Sequence, residues 1–356
     1  MGTDEKYMKR CLELAQLASG NTAPNPMVGA VVVHQGKIIG EGYHQLYGQA
    51  HAEANAIGSV KERALLREST LYVNLEPCSH HGNTPPCSEM IVREGIPRVV
   101  IGSPDTSERV SGRGIRILKE GGCDVQTGVL EEACRHLNRR FFTYHEKQRP
   151  YIVLKWAQTV DGFVDKERSR EDPIQPIWIT NDISRHLVHK WRSEEQAIMI
   201  GSKTALKDNP SLNVREWHGK DPLRVVIDRE LEIDETYRLV HDDLPLLIFT
   251  GGDSNPAKEK KLTSYPHVEV ERVNFKKDPI PGILDLLHRR KILSVFVEGG
   301  SYTLRHLMDA GYWDEARVFE GGRMFHTGVK APSLPEADPY KTTQLKETRL
   351  FWFRKA

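Results

Sequence analysis

The sequence lacks the basic clusters of nucleic-acid-binding proteins and the long apolar runs of membrane-spanning proteins. Its 356 residues include 50 Lys and Arg against 49 Asp and Glu, with no long basic run. This balance argues against a nucleic-acid partner, because phosphate backbones are bound through clustered basic residues. The chain has no run of about 20 apolar residues, so we expect no membrane span. The length predicts two globular domains at about 150 residues each.

Cysteine is scarce, and its pattern does not indicate disulfides. Five widely spaced cysteines form an odd-numbered set: Cys11, Cys78, Cys87, Cys123 and Cys134. An odd number at such spacing argues against a disulfide framework. The chain begins with charged residues rather than an apolar targeting segment. We therefore expect a reducing, cytoplasmic location, where thiols stay available as metal ligands.

The strongest chemical signal is a His-x-Glu motif followed by two spaced cysteines. His51-Ala52-Glu53 precedes Pro77-Cys78, and Cys87 follows after eight intervening residues. One His and two Cys supply three zinc ligands, and a three-ligand site leaves a fourth position open to water, as in catalytic zinc centres. Zinc lowers the pKa of that water and prepares a nucleophile. This order of residues is the signature of zinc-dependent nucleobase deaminases.

The spacing of the two cysteines indicates a narrower family. Most such deaminases have two residues between them, whereas here a polar, proline-containing insert separates Cys78 from Cys87. With this insert the chain resembles the bifunctional riboflavin-biosynthesis deaminase-reductase family. A small structural zinc knot and a pair of reduced core cysteines are the alternatives. Structural sites normally recruit four protein ligands, which favours a catalytic zinc.

The resemblance implies a zinc-dependent pyrimidine deaminase domain over residues 1–147. The Zn²⁺ ligands would be His51, Cys78 and Cys87. Glu53 would be the catalytic acid and base that moves protons between water and the departing amino group. The positions that contact the substrate, a pyrimidine ribosyl phosphate, would be Asn25, His44 and His80.

The second half carries segments that resemble the reductase domain of the same family, over residues 148–356. The segment Lys155 to Gly162 also resembles the opening of dihydrofolate-reductase-like domains that use NADPH. Trp178-Ile179-Thr180, the run from Gly201 to Arg215 and the turn from Val297 to Ser301 match further segments in the same order. Backbone N–H groups before a helix that begins at Ser301 are expected to bind an anion.

The resemblance also implies roles in the second half. Lys155 and Asp208 would be catalytic, Lys155 near the reacting ribose carbon and Asp208 in proton handling or orientation. The cofactor-binding positions would be Gln158, Trp178, Thr204, Asp208, Gly300, Ser301, Tyr302, Thr303, Leu304, Arg305 and His306. The substrate-binding positions would be Arg192, Leu212, Arg215 and Glu298. The two arginines of this set are expected to fork onto the substrate phosphate.

The second half departs from the family pattern at a few positions. Asn209 stands where many members have a second Asp, and Pro176-Ile177 precede Trp178 where a Ser-Gln pair is common. The stretch 165–176 is unusually charged and predicts a loop.

The order of predicted elements indicates an α/β fold in both halves. A strand over 70–75 and helices that open at His51 and Cys87 would bring the zinc ligands to helix N-termini. A single helix over 131–144 would lead to the second half. The resemblance implies a cytidine-deaminase-like α/β/α domain followed by a dihydrofolate-reductase-like α/β domain.

The resemblance implies a bifunctional enzyme with Zn²⁺ and NADPH as cofactors. It would deaminate 2,5-diamino-6-ribosylamino-4(3H)-pyrimidinone 5′-phosphate with zinc hydroxide and then reduce the ribosyl to a ribityl side chain, giving 5-amino-6-ribitylamino-uracil 5′-phosphate. The alternatives are a deaminase whose C-terminal half binds a ligand or partner without reduction, a nucleic-acid-editing deaminase, and a zinc protein without enzymatic activity. We expect a homo-oligomer, dimer or tetramer, with no nucleic-acid or membrane partner.

Overall fold

The computed structural model describes residues 2–79, 85–107, 110–169, 172–334 and 338–355. The chain divides into two compact units, Met1–Gln148 and Arg149–Ala356. Each unit combines a β-sheet with helices, which confirms the predicted α/β class. Among the described residues, no helix is long and apolar enough to span a bilayer.

The first unit is built on a five-stranded sheet. Its strands are β1 (Gly29–His34), β2 (Lys37–Tyr43), β3 (Thr70–Leu75), β4 (Arg98–Ser103) and β5 (Asp124–Thr127). Its helices are α1 (Thr3–Gln16), α2 (Ala52–Gly58), α3 (Cys87–Glu94), α4 (Arg113–Glu120), α5 (Glu131–Leu137) and α6 (Arg139–Lys147), with a 3-10 turn over Arg63–Glu68. The strand order is β2-β1-β3-β4-β5, with β3, β4 and β5 parallel.

Helices cover both faces of this sheet. Successive side chains of a strand point to opposite faces. In β1, Ala30 and Val32 pack into one apolar cluster with residues of α2, α3 and α4. Val31 and Val33 pack into a second cluster with residues of α1 and α5. The unit is therefore a three-layer α/β/α sandwich, and the zinc-ligand candidates lie on its α2 and α3 side.

The single helix predicted over 131–144 is wrong, because the chain breaks it into α5 and α6 at Asn138. The buried Asn138 side chain accepts a hydrogen bond from the Met27 N–H at 2.8 Å and donates one to the Met27 carbonyl at 2.9 Å. At Asn138 the backbone leaves helical geometry, with φ −96° and ψ 23°. The two hydrogen bonds between Asn138 and Met27 therefore anchor the chain just after Asn25.

The second unit has a nine-stranded sheet and a small two-stranded sheet. Its strands are β6 (Tyr151–Thr159), β7 (Phe163–Asp165), β8 (Ala197–Gly201), β9 (Leu223–Ile227), β10 (Leu246–Thr250), β11 (Val268–Arg272), β12 (Ser294–Val297), β13 (Glu315–Gly321), β14 (Val329–Lys330), β15 (Lys341–Leu345) and β16 (Thr348–Arg354). Its helices are α7 (Asp182–Glu194), α8 (Ser202–Asp208), α9 (Arg238–His241), α10 (Pro256–Leu262), α11 (Ile280–Arg289) and α12 (Ser301–Asp309).

The order of the large sheet brings the predicted reductase residues to one edge. It runs β11-β10-β9-β8-β12-β6-β13-β16-β15, while β14 pairs with β7. All neighbours from β11 to β13 are parallel. Ligands of open parallel sheets bind outside the carboxyl ends of the strands. Glu298 directly follows β12, and α8 begins directly after β8, so both lie at this edge.

Candidate active sites

Three side chains of the first unit converge at the starts of two helices. His51 is the N-cap of α2, and Cys87 is the first residue of α3. Cys78 lies three residues beyond the end of β3. The Sγ atoms of Cys78 and Cys87 lie 3.4 and 3.5 Å from His51 Nδ1. The sequence-predicted ligands are thus brought together from three separate segments.

The geometry of this cluster fits a tetrahedral zinc ion. Zn–S and Zn–N bonds of about 2.3 and 2.0–2.1 Å at tetrahedral angles place a sulfur about 3.5 Å from a nitrogen. The ligand atoms of His51, Cys78 and Cys87 all lie within 4.8 Å of one another. Hydrogen bonds to Cys87 and His51 hold the pKa of Cys78 well below its ordinary value, which favours a thiolate.

Glu53 is buried beside the cluster but is not part of it. It is the second residue of α2 and only 3% exposed. Burial and the negative charge of Cys78 raise the pKa of Glu53 to about 7. A carboxyl group that titrates near neutrality can both accept and release a proton, which is what an acid-base residue needs.

Asn25 contacts His44, which in turn contacts His51. Asn25 Nδ2 lies 3.2 Å from His44 Nε2, and His44 Nδ1 lies 3.1 Å from the Ala50 carbonyl. Because a carbonyl only accepts, Nδ1 carries the proton and Nε2 accepts from the Asn25 amide. The His44 and His51 rings pack edge to face, with 5.2 Å between the ring centroids. Two of the three predicted substrate residues, Asn25 and His44, are therefore linked to the metal cluster through His51, whereas His80 lies outside the described residues.

Two buried polar residues that sequence reasoning missed hold the loops of this site. Glu76 is 4% exposed. Its carboxylate accepts hydrogen bonds from the backbone N–H groups of Asp105, Gly112 and Ile115 at 3.1–3.2 Å. Asn74, fully buried in β3, accepts the Gly29 N–H at 2.8 Å. The only signal in the sequence is their polarity within an otherwise apolar strand and its continuation. They fix the segment that leads to Cys78.

The second unit contains a large cavity at the carboxyl edge of its sheet. Its volume of about 980 Å³ lies at the upper end of the roughly 300–1,000 Å³ common for ligand sites. The cavity is lined by most of the predicted reductase residues: Lys155, Thr204, Asp208, Glu298, Gly300, Ser301, Tyr302, Thr303, Leu304, Arg305 and His306.

Glu298, which lines the cavity, is the centre of an ion-pair network. Arg192 donates to its carboxylate from Nε at 2.6 Å and from Nη2 at 3.0 Å. Lys155 Nζ lies 3.4 Å from the same carboxylate. Burial raises the pKa of Glu298, but the charges of Arg192 and Lys155 outweigh burial and lower it to about 2. The carboxylate is therefore ionised and held in a fixed position.

The turn into α12 has the shape of an anion cradle. A Cβ on Gly201 would lie 2.6 Å from Thr303 Oγ1, and one on Gly300 would lie 3.2 Å from Thr204 Oγ1. Gly300 also has φ +62°, a conformation that side chains disfavour. The free N–H groups at the start of α12 favour negative charge. Cavity and turn together fit a phosphate-bearing dinucleotide such as NADPH.

The remaining predicted residues are not among those that line the cavity. Trp178 is 45% exposed and stacks on Arg185, whose guanidinium carbon lies 5.1 Å from the ring centroid. Gln158 accepts a hydrogen bond from Trp156 Nε1 at 2.8 Å. Two of the residues predicted to bind substrate differ in burial. Leu212 is buried in the apolar core, whereas the Arg215 side chain is 47% exposed.

Family models match both units of the chain. The cytidine and deoxycytidylate deaminase zinc-binding region matches residues 1–103, and the RibD C-terminal domain matches residues 150–350. These matches confirm the predicted order of a deaminase-like domain and a reductase domain.

Individual relatives match along nearly the whole chain. Riboflavin biosynthesis protein RibD of Aquifex aeolicus (strain VF5) is 39% identical over 333 residues, covering 93% of this chain and 90% of the relative. The crystal structure of a diaminohydroxyphosphoribosylaminopyrimidine deaminase/5-amino-6-(5-phosphoribosylamino)uracil reductase from Thermotoga maritima is 36% identical, with a TM-score of 0.86 and 99% of each chain covered. RibD of Acinetobacter baumannii is 27% identical, with a TM-score of 0.87 over 99% of this chain and 98% of that structure. The chain belongs to the RibD family of riboflavin biosynthesis proteins.

Proposed function

We propose that this protein catalyses two successive reactions of riboflavin biosynthesis. The first unit deaminates 2,5-diamino-6-ribosylamino-4(3H)-pyrimidinone 5′-phosphate. The second reduces the ribosyl group of the product to a ribityl chain, giving 5-amino-6-ribitylamino-uracil 5′-phosphate. We assign residues 1–147 to the deaminase and 148–356 to the reductase. Zn²⁺ and NADPH are the cofactors of this family of two-domain enzymes.

The observation that carries the proposal is the position of Glu53. It lies buried next to three zinc-ligand candidates but outside their cluster. A structural zinc site would need a fourth protein ligand and would have no use for a buried carboxylate beside it. The nucleobase deaminases combine a three-ligand site with a nearby Glu that is not a ligand.

The residues of the first unit divide the work of deamination. His51, Cys78 and Cys87 would hold the zinc, which would supply Lewis acidity when bound. Glu53 would accept a proton from the attacking water and donate one to the amino group that leaves as ammonia.

Substrate orientation in the first unit is assigned to two further residues. Asn25 presents an amide that both donates and accepts, which suits the edge of a pyrimidine ring. His44 holds that amide through Nε2, and we propose that His80 also contacts the substrate.

In the second unit we propose that the ion-pair network positions the sugar of the substrate. Lys155, held by Glu298 at 3.4 Å, stands near the ribose carbon that receives the hydride. The guanidinium fork of Arg192 is occupied by Glu298, and its Nη1 donates to the Asn213 carbonyl at 3.0 Å. Arg215, with its more exposed side chain, is therefore the better phosphate ligand of the two arginines. Leu212, with its buried side chain, would offer its main chain.

The cofactor residues are assigned by their place in the cavity. NADPH supplies the hydride when bound. The turn before Ser301 and the first residues of α12, through His306, would bind its phosphates and sugars. Thr204 and Asp208 line the same cavity. Gln158 and Trp178 are proposed to complete the binding site at its margin.

The test is a turnover experiment with the full chain. Purified zinc-loaded protein is incubated with the diamino-pyrimidine ribosyl phosphate, with and without NADPH, and products are followed by mass spectrometry. We expect deaminated product alone without NADPH, and deaminated, reduced product with it. Deamination that never proceeds to reduction would support a deaminase with a binding-only second unit. The absence of any turnover would refute the assignment of this substrate.

We propose that the protein forms a homo-oligomer, dimer or tetramer, which light scattering would measure. We also propose a cytoplasmic location, which suits thiol ligands in a reducing compartment.

A further inference from the structure

The charged stretch predicted as a loop contributes a buried side chain to the reductase cavity. Arg168 lies within this stretch, yet its side chain is only 9% exposed. It lines the cavity together with Asp165 and Asp208. Arginine is rarely buried unless its charge is paired.

The Arg168 guanidinium joins three segments of the second unit. Its Nη2 donates to Asp208 Oδ1 at 2.6 Å and to Asp165 Oδ2 at 2.7 Å, and its Nε donates to Asp165 Oδ2 at 2.9 Å. Its Nη1 donates to the carbonyls of Gln175 and Lys207 at 2.8 and 3.3 Å. These contacts tie the end of β7 and the loop before Trp178 to the last turn of α8.

The contact with α8 fixes the residue that faces the cavity. The last carbonyls of a helix have no partner within the helix, and Arg168 supplies one for Lys207. The next residue is Asp208, whose carboxylate the same guanidinium binds. One side chain therefore holds both the end of the helix and the orientation of its final carboxylate.

Arg168 also favours the charged form of Asp208. Burial, the largest cause, and the nearby Asp165 hold the pKa of Asp208 above its ordinary value, although Arg168 and Lys207 lower it. Both carboxylates bind the same nitrogen of Arg168, so without the guanidinium they would repel each other at close range. Like charges that share a site drive one carboxyl group towards its neutral form.

We propose that Arg168 is a positioning residue for the reductase cofactor: it holds the Asp208 carboxylate, negatively charged, at the cavity wall, where it accepts a hydrogen bond from the dinucleotide. This inference rests on the proposed reductase function. A ribose hydroxyl is the donor that a carboxylate in a dinucleotide site commonly meets. Arg168 acts through Asp208 and does not itself contact the cofactor.

The experiment measures NADPH binding by fluorescence titration of the full-length protein. We compare the wild type with Arg168→Met, Asp208→Asn and the double variant. Loss of a hydrogen bond to a charged group predicts an increase in Kd of about tenfold for Arg168→Met. In the Asp208→Asn background the same change should have little further effect, because neighbours that act as one unit are not additive.

A pH series separates the electrostatic role from a merely structural one. Without Arg168 the pKa of Asp208 rises, so its charge is lost at a higher pH than in the wild type. The affinity of Arg168→Met for NADPH should therefore recover as the pH is raised, whereas a collapsed loop would bind poorly at every pH. A Kd ratio between variant and wild type that is constant with pH would overturn the proposal.

The matched control is Arg290, which bridges two carboxylates in the same unit but is not one of the residues that line the cavity. It pairs with Glu269 at 2.8 Å and Glu271 at 2.7 Å. Arg290→Met should bind NADPH as the wild type does. Arg168→Gln keeps an amide donor without the charge and is used if Arg168→Met does not fold, as judged by thermal unfolding.

The outcomes distinguish this inference from the function on which it rests. If the wild type fails to bind NADPH, the reductase assignment itself fails. If the wild type binds and a folded Arg168 variant binds equally well, the function stands and the role of Arg168 is refuted. An equal loss in both the wild-type and Asp208→Asn backgrounds would mean that Arg168 contacts the cofactor directly, and this also overturns the proposal.

Discussion

Arg192 and Glu298, 106 residues apart, form a two-pronged ion pair with N–O distances of 2.6 and 3.0 Å. Arg192 comes from α7, and Glu298 directly follows β12. Both side chains are about nine-tenths buried. Removal of one partner of a buried pair leaves an uncompensated charge, which costs more than the intact pair gains.

Glu298→Gln should destabilise the second unit and impair reduction. The substitution leaves Arg192 and Lys155 without their counter-charge, and breaking a buried ion pair typically costs about 3–5 kcal/mol. Urea unfolding would measure the loss of stability, and NADPH oxidation with deaminated substrate would measure the loss of activity. Glu259→Gln, which removes an ion pair with the partly exposed Arg272, should cost less than about 1 kcal/mol.

The contribution of Glu298 should also depend on pH in a defined direction. Its pKa is lowered from an ordinary 4.5 to about 2 in the folded protein. A carboxyl with a lowered folded pKa stabilises the fold above its unfolded pKa, and this stability is lost as the pH falls through the folded pKa. The difference in unfolding free energy between wild type and Glu298→Gln should therefore shrink by about 3 kcal/mol between pH 4.5 and 2. A constant difference across this range would contradict the ion-pair account.

Glu53→Gln should strongly slow deamination while zinc remains bound. Loss of a positioned acid-base group typically reduces the rate by about 10²–10⁴-fold. Metal analysis should give the same zinc content as the wild type, because Glu53 is not in the ligand cluster. Reduction of supplied deaminated product should be unchanged. Glu120→Gln, which alters a surface carboxylate of the same unit that is 70% exposed, should keep full deaminase activity.

Zinc content should follow Cys78 and Cys87 and no other cysteine. Serine at either position removes one of three ligands, so we expect loss of bound zinc and of deamination together. Cys123 is buried, and its thiol donates a hydrogen bond to the Ile96 carbonyl at 3.2 Å. Cys123→Ser should therefore retain one zinc per chain in metal analysis. Loss of zinc from this control would assign the metal to a different site.

The proposed zinc site could be derived from the sequence because its signal is local. His51 and Glu53 are two residues apart at the start of one helix, and Cys87 begins the helix predicted next. The predicted strand 70–75 coincides with β3, and the helix predicted to open at Cys87 is α3. The site therefore needed only short motifs and correct element boundaries.

The polar partners around the two sites could not be predicted in the same way. Asn138 breaks a helix because it binds Met27, 111 residues earlier in the chain. From the sequence, Arg168 reads as an exposed charge in a loop. Its partner Asp208 lies 40 residues later in the chain, at the end of α8. Such contacts depend on which elements pack together, and charged or amide residues carry no periodic signal for a specific distant partner.

Gly201→Ala should weaken NADPH binding, because β8 and α12 approach each other too closely to admit a methyl group. A Cβ on Gly201 would lie 2.6 Å from Thr303 Oγ1, which can move only by turning its rotamer or shifting α12. Overpacking of this kind typically costs about 1–3 kcal/mol, and here the strain falls on the turn proposed to bind the cofactor phosphates. Fluorescence titration should show a higher Kd for NADPH, with deamination unaffected. Gly252→Ala, where an added Cβ meets nothing within 4 Å, is the matched control, and equal affinities in the two variants would show that the turn tolerates the methyl group.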